Sequence, residues 1–171
     1  DVTVFLVKGS RGGRHACAGR QSEQGNPLGA VASGGKGGRR QQFYPLLIGV
    51  SHIAPCYEDV DRAEGESSFD YGQRAANELE AEILRLGPET VMAFMAEPVV
   101  GATSGAVPAV EGYFKRIREI CDKYGVLLIL DEVMCGMVRT GHLFPCDAYG
   151  VAPDLPRVDK APGPVSPPYG S

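Results

Sequence analysis

Three side chains follow short apolar runs at places where a parallel α/β sheet would meet a ligand. Glu97 follows Val91-Met92-Ala93-Phe94-Met95-Ala96, Asp131 follows Val126-Leu127-Leu128-Ile129-Leu130, and Lys160 lies shortly after Leu155-Pro156-Arg157-Val158. Ligands of such sheets bind beyond the carboxyl ends of the strands. A carboxylate directly behind a fully apolar strand is costly unless something pairs with it, so Asp131 invites a functional reading. A loop cap or a pair with Arg139 is the structural alternative. Glu97 reads equally as a hydrogen-bond acceptor for nearby loop amides, and Lys160 alone as a solvated lysine.

Other clusters carry less. Gly9-Ser10-Arg11-Gly12-Gly13 has the makings of an anion nest, but matches neither a Walker loop nor a dinucleotide fingerprint and reads as a turn. Lys36, Arg39 and Arg40 have no interleaved aromatic residues, which favours a solvated loop over a nucleic-acid surface. Cys17, Cys56, Cys121, Cys135 and Cys146 are widely spaced, without a CxxC pair, and read as reduced thiols. His15, His52 and His142 add no metal-ligand spacing, so no metal site is expected.

The elements that must hold these residues are legible between 70 and 150. Ala75, Ala76, Leu79, Ile83 and Leu86 recur at helical spacing over 70–87, with Asp70 as the expected N-cap and Gly87-Pro88 as the stop. Residues 91–96 are apolar on both faces and predict a buried strand ended by Glu97-Pro98. The stripe Val110, Tyr113, Phe114, Ile117, Ile120, Cys121 and Tyr124 predicts a helix over 109–124, with Gly125 at its C-terminus. Residues 126–130 predict a second doubly buried strand. In the first third, 14–18 and 46–50 are candidate strands joined by a Gly-rich stretch. Strand–helix–strand order with apolar runs gives an α/β class with a mainly parallel sheet and flanking helices.

Composition bounds the rest. The 171 residues are 43% hydrophobic and 22% charged, too apolar for a disordered chain and of a length that suits one domain. The longest of these apolar runs is far too short to span a bilayer. A net charge of −4 gives no general reason to bind nucleic acid. Neither a membrane nor a nucleic-acid partner is therefore expected. Asp1-Val2-Thr3-Val4-Phe5-Leu6 lacks the features of a signal peptide, which leads to the expectation of a cytoplasmic protein. Eleven of 23 glycines lie in residues 1–60 and six of 13 prolines in 153–171, so both ends should hold little continuous helix or strand.

The run Leu128-Ile129-Leu130-Asp131-Glu132-Val133-Met134-Cys135-Gly136-Met137-Val138-Arg139-Thr140-Gly141 resembles the signature of class III aminotransferases, pyridoxal-phosphate enzymes of fold type I. Gly150-Val151-Ala152-Pro153-Asp154-Leu155, Ala96-Glu97-Pro98-Val99 and Gly101-Ala102-Thr103-Ser104-Gly105 extend the likeness, and weaker similarity reaches back to about Arg20. The resemblance implies that Asp131 pairs with the pyridine nitrogen of pyridoxal 5'-phosphate, Val133 packs on the ring, and Lys160 is the Schiff-base lysine. It also implies that Glu97 lies near the substrate. The reaction would move an amino group between an amino donor and a 2-oxo acid, in a homodimer.

By the same likeness, residues 1–171 form one incomplete cofactor-binding large domain. The phosphate-loop region would precede it and the small domain would follow it. Two stretches depart from the family pattern. Ser22-Glu23-Gln24-Gly25 has Glu23 where an aromatic residue usually stacks on the cofactor, and Pro156, Pro162 and Pro164 crowd the lysine. These departures supply the alternative reading, a truncated or degenerate member acting as a binding or structural piece.

Overall fold

The architecture was obtained as a computed structural model, which describes residues 15–19, 41–46, 50–100, 106–136, 140–141 and 143–158. Five strands form one sheet in the order β2-β1-β3-β6-β7, and every pairing is parallel. These strands are β1 (His15–Gly19), β2 (Val50–Ile53), β3 (Val91–Ala96), β6 (Leu127–Asp131) and β7 (Leu155–Arg157). A two-residue antiparallel pair, β4 (Val99–Val100) and β5 (Val107–Pro108), stands apart from the sheet. The helices are α1 (Glu58–Asp61), α2 (Ser68–Leu86), α3 (Tyr113–Tyr124) and α4 (Pro145–Tyr149). Parallel strands require crossover connections, and α2 and α3 supply those into β3 and β6.

The two long helices form because their apolar stripes have somewhere to go. From α2, Ala76, Leu79 and Ile83 are fully buried; from α3, Phe114, Ile117, Ile120 and Cys121 join them, against Phe94, Leu128 and Leu130 of the sheet. Burying each such large side chain contributes about 1.5–3 kcal/mol before the entropy of ordering is subtracted. Outside this seam, Glu80 of α2 receives Lys123 Nζ at 2.6 Å and Arg116 Nη2 at 3.1 Å from α3. Gly125 ends α3 in the left-handed conformation (φ 64°), as its position after the stripe predicts.

Three boundaries differ from expectation. The N-cap of α2 is Ser67, whose hydroxyl accepts the Asp70 N–H at 3.1 Å and donates to Asp70 Oδ2 at 2.7 Å. Asp70 is thus the reciprocating residue three positions on, not the cap. Helix α3 starts at Tyr113, because Gly112 is left-handed (φ 83°) and so breaks the helical path before it. Of the strand expected over 46–50, Leu46 belongs to a 3-10 turn (Tyr44–Leu46) and Val50 opens β2, while 47–49 lie outside the described residues. Hydrophobicity alone marked Leu46–Val50. Pro45, which cannot donate to a ladder, favours a turn there.

Candidate active site

One row at the carboxyl end of the sheet collects Glu97 and Asp131, two of the three residues singled out from the sequence. Glu97 and Asp131 each stand one residue past the registered pair Ala96–Leu130, and Arg157 is in register with Asp131. Adjacent strands run about 4.8 Å apart, so these positions are next neighbours. Glu97 is half-buried. Immediately behind it, the Pro98 carbonyl accepts the Tyr149 hydroxyl at 3.2 Å, which ties this strand end to α4.

Asp131 is the last residue of β6 and only 3% exposed. Its Oδ1 accepts the Val133 N–H at 3.1 Å, so the carboxyl is held by the backbone that follows it. Val133, half-buried, opens a turn over 133–136 that the Gly136 N–H closes on the Glu132 carbonyl at 2.7 Å. A Cβ at Gly136 would stand 2.8 Å from that carbonyl, which explains glycine at this position. Asp131 and Val133 are therefore set by one local structure.

Glu132, which the sequence offers only as a member of the signature run, is buried more deeply, at 1% exposure. Its Oε1 accepts the Cys146 N–H at 3.0 Å, while Oε2 is buried without a hydrogen-bond partner among the described residues. It anchors the turn to the first residues of α4. Burial, and next the Glu132 carboxyl beside it, push the Cys146 thiol up to about 12. Burial likewise raises the Cys135 thiol to about 11, against a hydrogen bond with the Val99 backbone that lowers it. The available signal was a second acid directly behind Asp131: consecutive residues of an extended chain face opposite sides, so two adjacent buried acids need two different environments.

Lys160 and Arg139 lie outside the described residues, as do Glu23 and the 101–105 loop. The structure thus brings Asp131, Val133 and Glu97 together. Among the described residues no group of three or more His, Cys, Asp or Glu side chains could hold a metal ion. No helix among them is long and apolar enough to cross a membrane.

The family described as aminotransferase class-III matches residues 15–163. An aminotransferase of Gibberella zeae is 46% identical over 141 residues, covering 81% of this chain and 28% of the relative. The hypotaurine/taurine–pyruvate aminotransferase of Paracoccus denitrificans is 39% identical over 136 residues, 80% of this chain and 29% of that protein. Among solved structures, an omega-aminotransferase from Paracoccus denitrificans superposes with a TM-score of 0.80 at 33% identity, over 88% of this chain and 33% of the other. The chain therefore spans about a third or less of the length of these relatives. With the parallel sheet, the strand-end carboxylate and the family match in agreement over most of its length, the chain belongs to the class III aminotransferases and has their fold-type-I architecture.

Proposed function

We propose that this protein is a pyridoxal-phosphate-dependent aminotransferase that moves an amino group between an amino donor and a 2-oxo acid. The observation that carries the reading is Asp131, a carboxylate buried at the end of β6 and held from behind by the Val133 N–H. A buried negative charge of this kind fits a protonated pyridine nitrogen, which would neutralise it in place. When bound, the cofactor supplies an electron sink for the carbanion formed next to the transferred nitrogen.

The chain's own residues then take separate tasks. Asp131 holds the proton on the ring nitrogen. Val133, fixed two residues on by the same hydrogen bond, packs on the ring and excludes water from it. Lys160 Nζ is the point of covalent attachment and the base that moves the proton at the substrate Cα. It follows Arg157, the register partner of Asp131, by three positions, a stretch that spans at most about 11 Å. Glu97, on the neighbouring strand end, faces the substrate side.

Relatives named for taurine, hypotaurine and gamma-aminobutyrate support a donor whose amino group is remote from a carboxylate-like acid, with pyruvate as an acceptor. A homodimer and residues 1–171 as one incomplete cofactor-binding large domain belong to the same proposal. The second reading, a non-catalytic member, is favoured by Glu23 and by the prolines around Lys160.

One titration decides between them. Pyridoxal phosphate added to the protein should produce an absorbance band near the visible that borohydride fixes onto Lys160. The Lys160→Ala variant should lack it. A band unchanged by that substitution, or none in the unmodified protein, selects the non-catalytic reading.

A further inference from the structure

We infer that Asp154 and Arg118 are positioning residues that lock the register of β7 on β6 and thereby fix, beside Asp131, the strand end from which the chain continues to Lys160. The inference rests on the role proposed for Lys160 and adds two residues that touch neither cofactor nor substrate.

Strand β7 has little of its own to hold it. It is three residues long, lies at one edge of the sheet among the described residues, and carries Pro156 at its centre, which has no N–H to give to a ladder. Its register is nonetheless definite, with Ile129, Leu130 and Asp131 paired to Leu155, Pro156 and Arg157. A slip of one residue would turn every side chain of the strand to the other face and shift its end by about 3.3 Å. The residue next to Asp131, and the lysine three positions later, would change with it.

Asp154 supplies what Pro156 cannot. Its N–H donates to the Leu128 carbonyl at 2.9 Å, and its Oδ2 accepts the Leu128 N–H at 2.7 Å. One residue at the entrance of β7 therefore engages both backbone groups of one residue of β6, half of that through its side chain. The same Oδ2 accepts Arg118 Nη1 at 2.7 Å. Arg118 is in turn oriented on α3 by Asp122, whose Oδ1 lies 2.8 Å from Nη2. Burial opposes ionisation of Asp154, but the Leu128 N–H and Arg118 outweigh it and hold the carboxyl below the usual carboxylate range. The clamp joins three elements, α3, β6 and β7, of which β6 ends in Asp131 of the proposed site and β7 ends beside it.

Two readouts on the unmodified protein and on Asp154→Ala, Asp154→Asn and Arg118→Gln test this. The first is backbone hydrogen exchange without cofactor. The second is pyridoxal phosphate addition, borohydride reduction and peptide mapping of the label over Lys8, Lys36, Lys115, Lys123 and Lys160. In Asp154→Ala, the amides of Leu128, Leu155 and Arg157 should exchange about tenfold or more faster while those of α2 and α3 keep their protection. The share of label on Lys160 should fall by about the same factor, with Lys115 and Lys123 unchanged. Asp154→Asn, which keeps an acceptor for the Leu128 N–H, and Arg118→Gln should lie between. Unchanged exchange at 155–157 overturns the clamp. Faster exchange with an unchanged Lys160 share overturns the positioning role and leaves a purely structural bond. If Asp154→Ala loses protection in α2 and α3 as well, Asp154→Asn decides by the same two criteria. No label on Lys160 in the unmodified protein overturns the proposed function itself, and the positioning role with it.

Discussion

The helical layer and the strand-end segment of this molecule are held by different physics. Between α2 and α3, Leu79, Ile83, Phe114, Ile117 and Ile120 are buried to 2% or less and interlock without a polar atom among their side chains. Among the described residues from Asp131 to Arg157, Cys146 and Val151 join the apolar core, and single polar contacts set the local geometry: Val133 on Asp131, Cys146 on Glu132, Leu128 on Asp154. Apolar packing is non-directional and loses stability in proportion to what is removed, whereas a buried hydrogen bond fixes orientation and fails when one partner goes. Asp131 and Val133, two of the residues with proposed chemistry, lie in the second kind of region, where geometry is specified most sharply.

The comparison can be broken most forcefully from the apolar side. Phe114→Ala removes a fully buried ring that stacks edge-on with Tyr113 at 5.1 Å, and should cost about 3–5 kcal/mol. Urea unfolding followed by circular dichroism reads that loss, which should appear as one cooperative transition moved to lower denaturant. On the polar side, Glu132→Ala leaves the Cys146 N–H buried without its acceptor and should cost about 1–3 kcal/mol. Glu132→Gln, which retains an oxygen acceptor, should cost less. The difference between the two variants, taken from the same unfolding curves, isolates the hydrogen bond from the packing of the side chain.

Alkali sharpens the contrast further. Burial holds the Cys56 and Cys135 thiols at about 11 and the Cys146 thiol at about 12. A thiol in the unfolded chain ionises near about 8.5. Because the folded values are raised, their contribution to stability is complete below that pH and is lost progressively as pH climbs toward the folded values. The urea midpoint should hold steady from neutral pH and then decline through that alkaline window. Cys146→Ala should make the decline shallower. The smallest effect belongs to Glu80→Ala on the outer side of the α2–α3 seam, where Lys123, Arg116 and the Tyr124 hydroxyl lose an acceptor while Arg116 keeps Glu119 and Asn77. Its loss should be minor and shrink further at high salt, as measured by the same midpoint.

How far the sequence could be read follows the same division. Helical periodicity located α2 and α3, and doubly apolar runs located β3 and β6, because those elements are shaped by what they bury. Asp131 was visible as an acid behind such a run. Glu132 was not, since its role needs Cys146, fourteen positions away, to come alongside. Ser67 and Asp70 could each have capped α2, and only the actual bond, Asp70 N–H to Ser67 Oγ, separates them. The late start of α3 is a failure of the same sort: Ala109–Val110 are apolar enough, but the left-handed Gly112 decides the backbone.

By itself, then, the sequence determined the α/β class, the apolar seams and the family, since hydrophobic period and a local signature are properties of consecutive residues. Tertiary structure alone decided which strand lies beside which, that Glu97, Asp131 and Arg157 form one row, and that Asp154 closes on Leu128. Those are contacts between residues far apart in the chain. A parallel sheet sets them through register, which depends on hydrogen bonds that every backbone offers alike and that only the packed fold selects.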